Sequence, residues 1–494
     1  MWIRDNIWNE ATPAELRLAG LAVNPALPDR LMLRILADGP PAARMALCGD
    51  RDLPEPVVDA LLAHPDKRAR AVFASSPHAD PAQRARLVDD PEWLVRAHLA
   101  EGPAPHEERW PRPLPDETVV HMFTTYENDL LGGLLHRQVS RGLRSRMPTH
   151  PEAVLRRVGV GSWSALSDEV RAALLDDPDP QVRESALLEV SYRDPAWAER
   201  ELPDRSGHGR THLLMNRPLS RAVIDSVLTA PVGKDERAMI ASNVGLPPDV
   251  VALLAGDPDR HVRECIARHP ALGPAERAAL AVDPDPEVRL AVSVHPGFTE
   301  AERAAIDYTA PEGGSFGFWP APSEPRDLAA VRRNALSGHP VLRRRAASEH
   351  HLPPDLVALL AADPDLGVRV SLAQNHPEAP AALLLACFLE YTGSDRADLL
   401  SRPRFPTVGL AALAEHEDPA VRALAARDPE AAPDLVERLT RDPDPAVRAA
   451  LARHPNLPAR RIAELLEDTE LARYAAANPA LAPSVMEALV DSSC

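Results

Sequence analysis

The pattern Asp-Pro-Asp-x-x-Val-Arg returns through this chain at a spacing of 26 residues, and that beat constrains the fold more than any other feature. It stands at Asp257–Arg263, Asp283–Arg289 and Asp442–Arg448, each followed by a His-Pro pair at His269, His295 and His454. Its arginine keeps register elsewhere. Arg44, Arg70 and Arg96, then Arg183, Arg210, Arg237, Arg263 and Arg289, then Arg344, Arg369, Arg396, Arg422 and Arg448 succeed one another at 25 to 27 residues. Weaker copies surround Asn24-Pro25 and Asn478-Pro479. A chain of 494 residues exceeds what one hydrophobic core holds, and a fixed beat of this length marks an array of stacked repeats.

Each repeat reads as two short helices. Asp285 is placed to cap a helix whose first residue is Pro286, where the missing N–H costs nothing. Val288, Leu290, Ala291 and Val292 supply apolar faces, and Pro296 excludes the α conformation from His295, which stops the helix. A second segment, such as 247–254, turns back toward the next Asp-Pro. Two short helices cannot bury their apolar faces alone, so neighbouring repeats must stack. Hydrophobic residues make up 45% of the chain and aromatics only 4%, a composition of Ala, Leu and Val that suits thin helical layers. The regularly spaced prolines, 53 in all, mark helix boundaries. The expectation is an all-α solenoid of about fifteen repeats, much longer than wide.

The extended pattern Asp-Pro-Asp-x-x-Val-Arg-x-x-x-Ala-x-His/Asn-Pro-x-Leu-Pro resembles the leucine-rich repeat variant family, a HEAT-like α-solenoid, and the likeness covers most of the chain outside two insertions. The resemblance implies a right-handed superhelix of alternating α and short 3₁₀ helices, and a function in binding. A member of that family carries an N-terminal cysteine cluster holding an iron–sulfur centre. Here Cys48 stands alone, so no cofactor is carried over.

The beat breaks twice. It divides the chain into N-terminal repeats over 1–101, an inserted proline-rich and helical segment over 102–162, central repeats over 163–306, a glycine- and aromatic-rich loop over 307–330, and C-terminal repeats over 331–494. Insertions in solenoids map to loops on one face, often the binding face. The loop holds Phe316, Phe318 and Trp319 between glycines, either to meet a partner or to fill an apolar gap. The first insertion holds Arg137, Arg141, Arg144 and Arg146, followed by Arg156 and Arg157, with only Glu152 opposing them. This run is either a site for an anionic partner or a solvated basic helix.

Groups that recur in every repeat belong to the architecture, because catalytic groups occur once. Arg183, Arg210, Arg237, Arg263, Arg289, Arg369, Arg422 and Arg448 are expected to tie each repeat to its neighbour through an Asp or a carbonyl. His64, His269, His295, His339 and His454, all before Pro, are expected to cap helix ends. Cys48, Cys265, Cys387 and Cys494 are far apart, so no metal site is expected. No phosphate-binding loop, nucleophile elbow or His-Glu-x-x-His motif occurs. A net charge of −18 disfavours nucleic acid, and no apolar run is long enough for membrane insertion. The leading expectation is a cytoplasmic, non-catalytic interaction scaffold that binds a protein or peptide on the solenoid surface. The alternative is a nucleic-acid-binding or base-repair helical-repeat protein using a local Arg-rich groove.

Overall fold

The computed structural model describes residues 11–103, 112–126, 135, 138–204, 206–229, 234–310 and 328–493, and every regular element among them is helical. A regular repeat is a first helix that carries the register arginine, followed by a second helix after the His-Pro turn. Arg260–Ile266 is followed by Pro274–Leu280, and Pro445–Ala452 by Ala459–Leu466. Asp259, Asp285 and Asp444 cap the first helices by accepting the backbone N–H two residues on, at 2.9, 2.9 and 2.8 Å. Both helices of these repeats are α, because a proline-started second helix of seven or eight residues is long enough to close i→i−4 bonds. The 3₁₀ segments that the family resemblance implies throughout occur in places, at Val160–Ala165, Leu202–Asp204 and Arg396–Ser401, and within a regular repeat at Ala423–Arg427.

The chain forms two compact units, one of Met1–Leu155 with Leu400–Cys494, the other of Arg156–Leu399. In the first unit a single core runs through residues of both segments, from Leu18 to Leu155 and from Ala414 to Val490. Its terminal repeats stack on each other. Helix Pro13–Ala22 packs against Ala472–Ala476. Asn24 Nδ2 donates to the carbonyls of Ala476 and Asn478 at 2.9 and 2.6 Å. Asn478 Nδ2 in turn donates to Ala452 and His454 at 2.9 and 2.8 Å. The bond that joins one repeat to the next therefore passes from the last repeat to the first unchanged. Arg30–Glu487 and Arg34–Asp491 ion pairs tie the second helices across the same joint. Within this unit, residues 400–494 lead in space directly into residues 11–155. The second unit has its own core, which includes a run from Ala198 to Val292.

The terminal joint depends on a close approach of two backbones. A Cβ placed on Gly20 would lie 1.9 Å from the Arg473 carbonyl oxygen, which is main chain and cannot rotate away. Gly20→Ala is therefore expected to destabilise the first unit by about 1–3 kcal/mol, the usual cost of forced overpacking. Chemical denaturation checks the size of the effect, and amide hydrogen exchange at Asn24 and Asn478 checks that the joint is where it opens.

Candidate functional site

The recurring arginines are engaged between repeats. Arg263 places Nε and Nη2 on the Asp283 carboxylate at 2.7 and 3.0 Å, while Nη1 donates to the Asp257 and Pro258 carbonyls at 2.8 and 3.1 Å. Asp283 also accepts the Asp285 N–H at 2.9 Å, so the carboxylate orders the next helix start. Arg422 repeats the arrangement with Asp442, and Arg237 reaches Asp257. A glutamate serves for Arg210 (Glu236), Arg369 (Glu390) and Arg448 (Glu470), while Arg289 takes the carbonyl and carboxylate of Asp307. Hydrogen bonds from Arg422 and Arg156 hold the Asp442 and Asp177 carboxyls below the usual range.

Three departures from the expected ladder stand out. Two adjacent arginines share the contact in one repeat, Arg343 on Asp363 at 2.6 and 3.1 Å and Arg344 on Asp365 at 2.7 and 2.6 Å. Arg156, inside the basic run, is a ladder arginine bonded to Asp177 at 2.7 and 2.9 Å. Among the described residues Arg183 donates to the carbonyls of Asp177 and Pro178 alone, within its own repeat.

The histidines divide between two places. His269 and His295 end their helices with Nε2 on the carbonyl one repeat back, Asn243 at 2.9 Å and His269 at 3.1 Å, and His454 does the same to Asp428 at 2.8 Å. Nδ1 of each accepts a backbone N–H two residues on. His339 does not end a helix but caps the start of Pro340–Ala347, its Nδ1 accepting from Val341, while His64 follows the end of Glu55–Leu62, its N–H on the Leu61 carbonyl and its Nδ1 accepting from Asp66. Burial pushes His295 down to about 4 and His339 down to about 3. It also pushes the Cys48 and Cys387 thiols up to about 12, so neither is a nucleophile at neutral pH.

Of the residues singled out as binding candidates, Phe316, Phe318, Trp319 and Arg137 lie outside the described residues. Arg141, Arg144 and Arg146 share the short helix Arg141–Arg146, and Arg146 pairs with Asp116 at 2.7 Å. Arg157 donates to Gln181 at 2.5 Å. With Arg146 and Arg156 both engaged by acids, the basic run does not present all of its charges together.

A different surface has the character of a site. Two consecutive positions in each second helix face solvent. In the first unit they are charged or lie beside ion pairs: Glu437 and Arg438 pair with Arg460 and Glu415, Asp59 pairs with Arg86, and Arg34 pairs with Asp491. In the second unit, from Pro248 on, Ala252 and Leu253, Ala278 and Ala279, Ala304 and Ala305, and Ala358 and Leu359 are exposed at the same positions, while Leu328–Ala335 exposes Arg332 and Arg333 there, Arg332 paired with Asp355. Leu253 is 62% exposed and Val282, at the end of the next second helix, 79%. Between Pro354–Ala361 and Ala381–Glu390 this surface dips into a groove of about 390 Å³ floored by Ala358, Ala361, Leu383 and Ala386, with Arg369 and Glu390 among its lining. The sequence carried a signal for it. Pro248–Ala255 and Pro354–Ala361 are apolar on every side after the first turn, although only one side of each is covered.

No protein-family model matches the chain, and no curated protein matches it. Among solved structures the chain is similar to the crystal structure of an engineered protein, 14% identical over 98% of this chain and 100% of that one, with a TM-score of 0.10. A likeness at that score carries no argument. The fold itself is that of a helical-repeat protein, and among the described residues no helix is long and apolar enough to cross a membrane.

The buried histidines make stability depend on pH. Their folded-state pKa values lie below the ordinary 6.5, so below pH 6.5 protons bind the unfolded chain first. The stability they contribute is full above pH 6.5 and is lost as pH falls toward about 4 for His295 and about 3 for His339. Each is expected to add a slope of up to about 1.4 kcal/mol per pH unit. Urea unfolding between pH 7.5 and 4.5 checks this. His295→Asn, the residue that Asn243 and Asn478 place in the same slot, is expected to flatten the curve.

Proposed function

We propose that this chain is a non-catalytic, cytoplasmic scaffold that binds a protein or peptide on the apolar face of the second helices between Pro248 and Ala361. The observation that carries the reading is the contrast between units: positions that bear ion-paired charges at Asp59 and Arg438 in the first are alanine or leucine in four second helices of the second, with Val282 exposed beside them. An exposed apolar surface interspersed with charge is the mark of an interaction site, since water penalises it at about 25 cal/mol per Å² until something covers it. The resemblance to the leucine-rich repeat variant family supports the same reading, as does the engagement of the recurring Arg and His groups within the architecture.

Leu253→Glu combined with Val282→Glu tests it. Both side chains are mostly exposed, so the double variant is expected to unfold within about 0.5 kcal/mol of the parent. In affinity capture from the native host with mass spectrometry, it is expected to lose partners that the parent retains. Capture of the same proteins at the same yield by both would overturn the reading.

A further inference from the structure

One joint in the second unit is open, and both of its interlocking devices are missing at once. At most other joints the residue four positions after the ladder arginine is sealed: Ala74, Ala241, Ala267, Ser293, Ala373 and Ala452 are each 0% exposed, and Leu400 and Ala426 are half-buried. In helix Pro180–Ser191 that position is Leu187, which is 58% exposed. Leu188 and Val190 beside it are 45% and 42% exposed. At closed joints the carbonyl of this residue accepts from the slot residue of the next repeat, as Leu214 does from Asn243 at 2.8 Å and Ala452 from Asn478 at 2.9 Å. The corresponding residue here, Asn216, turns back to its own helix and donates to His212 at 3.1 Å. The first helix that follows, Gly207–Asn216, does not pack along Pro180–Ser191 as its counterparts pack on theirs.

The arginine ladder is interrupted at the same place. Arg183 bonds carbonyls of its own repeat, yet among the described residues no carboxylate meets its Nε and Nη2 edge. With Glu189 rather than Asn or His in its capping slot, the helix runs on to Ser191. Arg183, Leu187 and Val190 then line up at spacings of four and three, on one face of the helix.

The remaining joints of this chain show what fits such a face. On Arg263 it is a helix preceded by a carboxylate, Asp283, three residues before its first residue, and turning an apolar side toward the preceding repeat. We infer that Arg183, Leu187 and Val190 form a docking site for an amphipathic helix of a partner protein with an Asp or Glu at its N-terminal end. That helix completes the joint as the next repeat does elsewhere, its carboxylate on the Arg183 guanidinium and its apolar side on Leu187 and Val190. The inference rests on the scaffold reading and gives it a second surface, separate in sequence from the Leu253 face.

The probe is a hydrocarbon-stapled, fluorescein-labelled peptide with the sequence 283–294, titrated with the full chain and read by fluorescence polarisation. Saturable binding is expected, weakened at least tenfold by Asp283→Asn in the peptide, by Leu187→Glu in the chain and by Arg183→Gln. Arg183→Lys is expected to bind between Arg183→Gln and the parent. Thermal melting confirms that each variant stays folded, as the exposure of Leu187 leads one to expect. The Leu253→Glu/Val282→Glu variant is expected to bind the peptide as the parent does, which separates failure of this site from failure of the Leu253 face. No saturable binding, or binding that survives Leu187→Glu and Asp283→Asn, would overturn the inference. So would a dimer of the chain that Leu187→Glu dissolves, since the occupant would then be a second copy.

Discussion

Between consecutive repeats a guanidinium lies edge-on to a carboxylate just before the next helix, and its remaining edge is filled by carbonyls of its own repeat. Two short helices bury little apolar surface, so a purely hydrophobic joint would leave each layer free to slide. The planar fork of arginine removes that freedom, because it satisfies a bidentate carboxylate and a helix-start carbonyl only in one register. Lysine, a point charge with rotatable donors, would not. Burial strengthens the constraint: the Asp283 and Asp442 side chains are 6% exposed, and a buried carboxylate that lost its arginine would be left uncompensated.

The second ladder follows the same logic with neutral groups. A helix-ending Asn, His or Ser holds a carbonyl of the preceding repeat and, at the same time, a backbone N–H of its own loop, as Asn24, His269 and Ser76 do. Since the bond is made to main chain, it does not depend on which repeat supplies the carbonyl. That is why the last repeat can join the first by the bond that joins neighbours, once Gly20 allows the backbones to meet. Leu187 marks the opposite case, where neither ladder crosses and an apolar face is left bare.

The repeats were legible because Asp, Pro, Val and Arg each do one local job at a fixed position, and a beat preserves them. Arg343 was not, since two adjacent arginines fit the spacing within a residue and both bond the next repeat, Arg343 to Asp363 and Arg344 to Asp365. Arg156 was hidden by the arginines around it, although it lies 27 residues before Arg183. The stacking of Asn24 on Asn478 is a contact across more than 450 residues, and local pattern carries no information about it. The apolar surface at Ala252 and Leu253 was masked by its own likeness to a core: a helix that is apolar all round looks buried until its neighbours are known.

The central claim is that stability between repeats resides in the arginine–carboxylate contact rather than in either residue alone. A double-mutant cycle on the full chain measures that directly, with Arg263→Ala, Asp283→Ala and both together followed by urea unfolding. The account predicts a coupling of about 1–3 kcal/mol, the double variant losing much less than the sum of the two single losses. Losses that add to within about 0.3–0.5 kcal/mol would contradict it and return the joint to hydrophobic packing alone.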